Sequence, residues 1–407
     1  MTRGARFVSL IVVLAGVALG VAMSAKNPLY WKRRALSTLF SPATLPANYY
    51  QPSQIVEGSD GPATPRVEPA QERLDPATLG AASAYADRFK STALVVGRHG
   101  HIVYEKYWGG AGFDTVFDSG AMTATITALT FGLAMADRKI ASPAEPVANY
   151  VESFRDGNRA TVTLENLLQM TSGLGTNRGG ADPWTAHTGE QLEHDIRDHC
   201  LANEPFIAPG RIWLAQACDP QLLAHIIERA TGEPYAQYVS THLWKPLGAG
   251  DAGLMLDHEG GTAHASCCLR ARLGDWMRVG QLLISDGKFE GEQLLPPGWV
   301  RTMLTPSKAN PRFGYQLWRG EPFEPGAGAS EPYAMDDTIV LRGNGKTRLW
   351  LVPSMGLIIL RVGRDATIDP EWDDSIIPNL IVRGARDYVP KAAQPGAKDL
   401  RNLVPNH

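Results

Sequence analysis

Residues 162–174 read Val-Thr-Leu-Glu-Asn-Leu-Leu-Gln-Met-Thr-Ser-Gly-Leu. Thr163 followed by Glu165 starts a helix, Leu164, Leu167 and Leu168 give it one apolar side, and Ser172-Gly173 stops it, which predicts a helix over 163–170. Upstream, Met122, Ile126, Leu129 and Leu133 recur at helical spacing and predict one apolar face. Further upstream, Thr92–Gly97 and Ile102–Trp108 are β-prone runs around Arg98-His99-Gly100-His101, a hairpin with an exposed tip rather than a metal site. Leu79–Lys90 is helical before it. Downstream, Gln221–Thr231 (stopped by Gly232) and Leu273–Ile284 are helices, and Arg348–Val352 with Gly356–Val362 form a closing hairpin around Pro353-Ser354-Met355. Strands at both ends and helices between them predict an α/β (α+β) domain. Its antiparallel sheet is drawn from N- and C-terminal segments, flanked by helices, with a mainly helical insertion.

The chain has 407 residues, 39 basic against 42 acidic, a formal charge of −3, and 44% hydrophobic residues. That balance excludes a nucleic-acid binder, which needs a basic excess, and the composition excludes wholesale disorder. One apolar stretch, Phe7–Ala25, is long enough to span roughly 28 Å as a helix. Residues 1–25 therefore read either as a signal peptide with a small-residue exit or as an uncleaved anchor that gives membrane contact through residues 7–25. Basic residues stand on both sides of the stretch and set no orientation, but everything after Lys26 reads as soluble, which points to an exported body in the periplasm or on the extracellular face. Residues 26–78 read as a linker or irregular arm, 79–385 as the folded domain and 386–407 as a tail. Cys200 and Cys218 flank a proline-containing loop and are spaced for a disulfide. Cys267 and Cys268 read as small apolar core residues on a strand rather than as a vicinal bridge. There is no CxxC, no metal site and no phosphate loop, so no cofactor is expected.

Further blocks carry a resemblance. The hairpin Ala93-Leu-Val-Val-Gly-Arg-His-Gly-His-Ile-Val-Tyr-Glu-Lys-Tyr107 and the helix ending in Thr-Ser-Gly-Leu resemble those of serine β-lactamase-related proteins. So do Pro209-Gly210 with Leu222-Leu223 and Thr231-Gly232, Ala271-Arg-Leu-Gly-Asp-Trp276, Gly291-Glu-Gln-Leu-Leu-Pro-Pro-Gly-Trp299, and Gly343-Asn-Gly345 leading to Leu349-Trp-Leu-Val-Pro353. The order is the family's, from about 79 to 385, and the detail is most similar to the class C β-lactamase-like esterases and amidases that include 6-aminohexanoate-dimer hydrolase.

The resemblance implies a Ser-x-x-Lys pair, because residues three apart share a helix face and a desolvated lysine amine can take the serine proton. It also implies a Tyr-x-Asn motif and backbone donors for an oxyanion. Here the Ser and Lys positions match Ala121 and Ala124, and the Tyr and Asn positions match Ala215 and Ala217. A methyl group has no lone pair and no transferable proton. Shifting the register by two brings Ser119 into the first slot but puts Met122 in the second, and no lysine lies between Lys106 and Lys139. Ser285-Asp-Gly-Lys288 and Thr305-Pro-Ser-Lys308 fit by spelling only, since one sits in a glycine turn and Pro306 breaks the other. Lys346-Thr347 is followed by Arg348 where the family's Lys-Thr-Gly has glycine.

Loss of a nucleophile or its base costs about 10⁶ in turnover, roughly 8 kcal/mol of barrier. The expectation is therefore a non-catalytic member that binds a small amide or ester, a peptide, a cell-wall-like ligand or a partner protein. The alternative is a residual hydrolase using other pocket residues such as Asp182, Trp184, His187 and Asp219. The candidate pocket comprises Ser119, Trp184, His187, Gln216, Asp219, Gly343, Asn344 and Gly345.

Overall fold

The computed structural model describes residues 28–41, 43–175, 195–326, 328–364 and 371–390. The apolar stretch 7–25, Asp182, Trp184, His187 and residues 391–407 of the tail lie outside these. Among the described residues no helix is long and apolar enough to cross a membrane.

The strands that organise the chain are β1 (Ser53–Val56), β2 (Ser91–Arg98), β3 (His101–Tyr107), β4 (Val116–Asp118), β5 (Ala252–Met255), β6 (Leu269–Arg272), β7 (Trp318–Arg319), β8 (Ile339–Arg342), β9 (Arg348–Val352) and β10 (Leu357–Gly363). The helices are α1 (Pro28–Leu39), α2 (Pro76–Arg88), α3 (Thr123–Ala136), α4 (Leu164–Leu168), α5 (Cys218–Thr231), α6 (Leu273–Ile284) and α7 (Ile376–Arg383). A six-stranded antiparallel sheet runs β7-β8-β9-β10-β2-β3, so its strands come from both ends of the chain, as expected. A second, four-stranded sheet runs β1-β5-β6-β4.

Both faces of the large sheet are covered, and strand alternation assigns each residue to a face. Ala93, Val95, Leu349, Leu351, Ile358 and Leu360 point into the larger core with α3, α5 and α6. Leu94, Val96, Trp350, Val352, Leu357 and Ile359 point the other way, under α2 and α7. The β2–β3 turn has His99 and Gly100 at φ 47° and 86°, the paired left-handed geometry that matches strand twist. His99 and His101 both bond the Glu72 carboxylate through Nδ1 at 2.7 Å.

Some boundaries differ from expectation. The α3 spacing suggested one apolar face, yet Thr123–Ala134 is buried all round. Its threonines make this possible by bonding inward: Thr127 donates to Ala265 O at 2.9 Å and Thr125 to Gln316 O at 2.7 Å. Gly132 lets Trp299 lie against the helix, where its indole N–H donates to Ala128 O at 3.1 Å. Helix α4 ends at Leu168, with a Thr163–Asn166 capping box, because Met170 takes φ 57°.

Residues 28–78, expected as irregular, instead carry α1 and β1 and pair with the domain. The reason lies in Arg33, which is 1% exposed. Its guanidinium donates to four carbonyls: Tyr49 O, Gln51 O, Leu256 O and Asp257 O. The planar fork satisfies acceptors from two separate segments at once, so the arm and the β5 end are tied together.

The tail begins within the fold too, since Arg98 bonds the Asp387 carboxylate at 2.6 Å. Cys200–Cys218 is a disulfide, as spaced. Cys267 and Cys268 are buried as expected, but the strand assignment is corrected: they precede β6 and are bonded to each other, because the chain turns there with Cys268 at φ 72°.

Replacing Arg33 with Ala leaves several buried carbonyls unpaired and is expected to cost about 2–4 kcal/mol in urea unfolding, with Arg33→Lys recovering little of it. Burial, with Arg33 nearby, pulls the His264 imidazole down to about 3. The unfolded chain protonates this group near pH 6.5 and the folded chain does not until about 3. Stability should therefore fall on acidification through that window, by up to about 1.4 kcal/mol per pH unit. Urea midpoints measured against pH should show a shallower slope for His264→Gln.

Candidate functional site

The four alanines singled out from sequence converge. Ala121 lies in the short turn Gly120–Met122 that leads into α3, and Ala124 follows on the first turn of α3. Ala215 and Ala217 come from the loop that enters α5. All four line one cavity of about 390 Å³, together with Gln216, Gly343 and Asn344. That volume is within the range of small-molecule sites.

Local chemistry explains why these segments meet. The Ser172 hydroxyl donates to Asp219 Oδ1 at 2.6 Å, and the Gln216 amide donates to both Ser172 Oγ (2.9 Å) and Asp219 Oδ1 (3.0 Å). This latch fastens the Thr-Ser-Gly-Leu turn to the first turn of α5, where a carboxylate also suits the helix dipole. On the opposite wall, Asp118 receives Gly120 N–H (3.0 Å), Tyr50 O–H (3.1 Å) and the Asn344 amide (3.0 Å). Burial pushes the Asp118 carboxyl up, and those three donors together with Arg270 pull the other way. Tyr50 belongs to the N-terminal arm, so the arm reaches the cavity wall through Asp118 and Asn344.

The expected pocket residues divide. Gln216, Gly343 and Asn344 line the cavity. Ser119 does not: it is fully buried, its hydroxyl donating to Leu269 O at 2.9 Å and sharing a hydrogen bond with Thr123 Oγ1. Asp219 is buried in the latch behind Gln216, and Gly345 lies beneath the loop with its carbonyl on Arg361. Neither is among the lining residues, and nor is Lys346. Trp184 and His187 lie outside the described residues.

Other lining residues were not singled out from sequence. Trp213, Phe313 and Trp318 form a mutual aromatic cluster, with ring centroids 5.1–5.3 Å apart. The Arg342 guanidinium lies 4.2 Å over the Trp318 ring. Arg348 holds Asp374 through two bonds of 3.0 and 3.2 Å, and Arg342 sits 3.8 Å from the same carboxylate. Burial pushes the Asp374 carboxyl up, but Arg348 and Arg342 outweigh it and the net shift is downward. Burial, with Arg348 adding repulsion, lowers the Arg342 guanidinium. Only Trp213, two residues from Ala215, had a local signal; Phe313, Trp318 and Arg342 arrive from a segment about a hundred residues away.

Chemically, the cavity offers an apolar aromatic wall, two guanidiniums and the amides of Gln216, Gln316 and Asn344, and its four alanines contribute only methyl groups. Among the described residues one group has metal-ligand proximity, Asp195, Asp257 and His258 within 4.8 Å, and none of the three lines the cavity. Asp257 already accepts Ile196, His258 and Thr262 N–H groups.

Gly343 holds the two walls together. A Cβ there would meet Ser119 O at 2.6 Å and Met122 Sδ at 3.3 Å. Gly343→Ala is expected to cost about 1–3 kcal/mol in thermal or urea unfolding by pushing apart the turn that carries Ala121. Gly112→Ala, with nothing within 4 Å, should be near neutral.

Comparison with known proteins gives one consistent result. The Beta-lactamase family model matches residues 71–361. The chain is 33% identical over 218 residues to esterase EstB of Burkholderia gladioli, covering 46% of this chain and 55% of that protein. It is 28% identical over 183 residues to the 6-aminohexanoate-dimer hydrolase of Paenarthrobacter ureafaciens, covering 42% and 46%. The match thus spans about half the length of these curated relatives. Among solved structures, a protein from Bacillus anthracis provisionally assigned as a 6-aminohexanoate-dimer hydrolase superposes with a TM-score of 0.68 at 18% identity, covering 83% of this chain and 91% of that one. EstCE1, a hydrolase with promiscuous acyltransferase activity, superposes at 0.60 and 17% identity, covering 78% and 99%.

Proposed function

The chain belongs to the beta-lactamase family, and we propose that it is a member without acyl-transfer machinery, which binds a small amide, ester or peptide ligand of cell-wall type in the cavity and does not cleave it. The observation that carries this is the meeting of Ala121, Ala124, Ala215 and Ala217 on one cavity. These are the positions matching the family's Ser-x-x-Lys and Tyr-x-Asn. Their convergence supports the register that assigns them, because a misaligned set would have no reason to share a wall.

The rest of the lining supports binding. Trp213, Phe313 and Trp318 provide a broad apolar surface, and Gln216, Asn344 and Arg342 are polar groups placed around it. A hydrolase working through other residues finds less support: Asp219 is fully buried and bonded to Ser172 and Gln216. The Cys200–Cys218 disulfide favours an oxidising compartment, in line with export by way of residues 1–25 to the periplasm or the extracellular face.

Restoring Ala121→Ser, Ala124→Lys, Ala215→Tyr and Ala217→Asn together should yield p-nitrophenyl ester hydrolysis that the natural chain lacks. The natural chain should give no covalent adduct with fluorophosphonate or penicillin-type probes by mass spectrometry. An adduct on any serine, or turnover of esters or linear amides above about 1 s⁻¹ by the natural chain, would overturn the proposal.

A further inference from the structure

The candidate cavity has one reactive bond in its wall. Cys267 lines it beside Ser266 and is disulfide-bonded to Cys268. Both cysteines are otherwise buried, at 3% and 2% exposure, and Cys267 is the one that lines the cavity. The other disulfide, Cys200–Cys218, is 0% exposed at both ends, sits within the main core and does not line the cavity. The chain has four cysteines, all of them bonded.

The vicinal pair is mechanically joined to the site. Cys268 holds φ 72°, a left-handed conformation that residues with a Cβ seldom adopt. The next residue, Leu269, donates its N–H to Thr123 Oγ1 (3.2 Å), and its carbonyl accepts from Ser119 N–H (3.1 Å) and Ser119 O–H (2.9 Å). The Ser119–Thr123 turn carries Ala121. On the other side, Ala265 N–H donates to Gln221 Oε1 of α5 (3.0 Å), and Ala265 O accepts from Thr127 of α3 (2.9 Å). Residues 265–269 therefore bridge the two helices whose entries bear the four alanines.

We propose that Cys267–Cys268 is a thiol-exchange centre whose substrates are low-molecular-weight thiols able to enter the cavity. The thiolate of such a molecule attacks Cys267 Sγ and forms a new S–S bond. The Cys267–Cys268 bond breaks, and its electron pair leaves on Cys268 Sγ, which takes a proton from solvent. A second small thiolate attacks the sulfur of the bound molecule, releases it as the symmetric disulfide and leaves Cys267 to be protonated. In sum, two thiols are oxidised to one disulfide, and the protein disulfide is reduced to two thiols. An oxidised small disulfide runs the sequence backwards. Selectivity follows from access, because exchange requires a thiolate to reach a disulfide sulfur. The inference rests on the cavity and not on the absence of acyl transfer, so the probe experiments above and the one below fail independently.

The test uses the full chain in native buffer with 2-mercaptoethanol, acid quenching at intervals, alkylation and peptide mass spectrometry. The mixed disulfide and later alkylation should occur at Cys267 and Cys268 at least tenfold faster than at Cys200 and Cys218. Ala121→Leu and Ala217→Leu, each filling the cavity from a different segment and each checked for folding by its melting curve, should slow reaction at Cys267 about tenfold and leave Cys200–Cys218 unchanged. Equal rates at both disulfides would report opening of the whole fold and overturn the proposal. So would reaction at neither disulfide, or unslowed reaction at Cys267 in a folded, cavity-filled variant.

Discussion

One strand pairing holds the molecule in its form: β10, seven residues from near the end of the chain, lies antiparallel to β2, eight residues from its first quarter. More than two hundred residues are looped out between them. Because β10 and β2 are both interior strands of the large sheet, each must present apolar side chains on both faces. Leu94 and Val96 face α2 and α7 while Ala93 and Val95 face the larger core. That pairing brings α2 and α7 together from opposite ends of the chain. It also sets the Gly343–Gly345 loop, between β8 and β9, against the turn that enters α3, which is where the cavity forms.

The cavity then shows how fold and chemistry separate. Its walls are kept in place by pairs set behind it, Ser172 with Asp219 and Asp118 with Tyr50, and by Arg348, which lines it and is itself held by Asp374. These are buried, charge-assisted hydrogen bonds, and breaking one strands a desolvated partner. The alanines at the surface of the cavity carry no such obligation. A buried lysine amine and a polarised hydroxyl cost stability in any fold that houses them, whereas methyl groups do not. The framework therefore does not depend on the side chains at those four positions. Positive charge gathers at the same place, since Arg342 and Arg348 share the single carboxylate of Asp374, and burial lowers the Arg342 guanidinium accordingly.

The N-terminal arm has a larger part than its composition suggests. Prolines, serines and lack of periodicity in residues 26–75 describe a segment with no core of its own. It gains order by borrowing partners: β1 pairs with β5, Arg33 takes four carbonyls, and Tyr50 reaches Asp118. None of these is a local property of the arm. Each includes at least one partner supplied from more than sixty residues away, such as Leu256 O and Asp257 O for Arg33, so no window along the arm could display it.

By itself the amino-acid sequence determined the local elements and their order. The β2–β3 hairpin, α5 with its Gly232 stop, α6 and the β9–β10 hairpin follow from periodicity and turn residues, which act over a few positions. It also determined that alanine stands at 121, 124, 215 and 217, since identity at a position needs no coordinates. Only the tertiary structure decided that these four alanines share one wall, that Ser119 and Asp219 are buried bracing groups, and that Phe313, Trp318 and Arg342 complete the cavity. The Cys267–Cys268 bond belongs with these, because apolar neighbours in sequence predict burial but not that the chain turns to φ 72° beside a cavity. The physical reason is the same throughout: pattern reports which face of an element is apolar, while a pocket is made of the few atoms that distant elements leave unfilled between them.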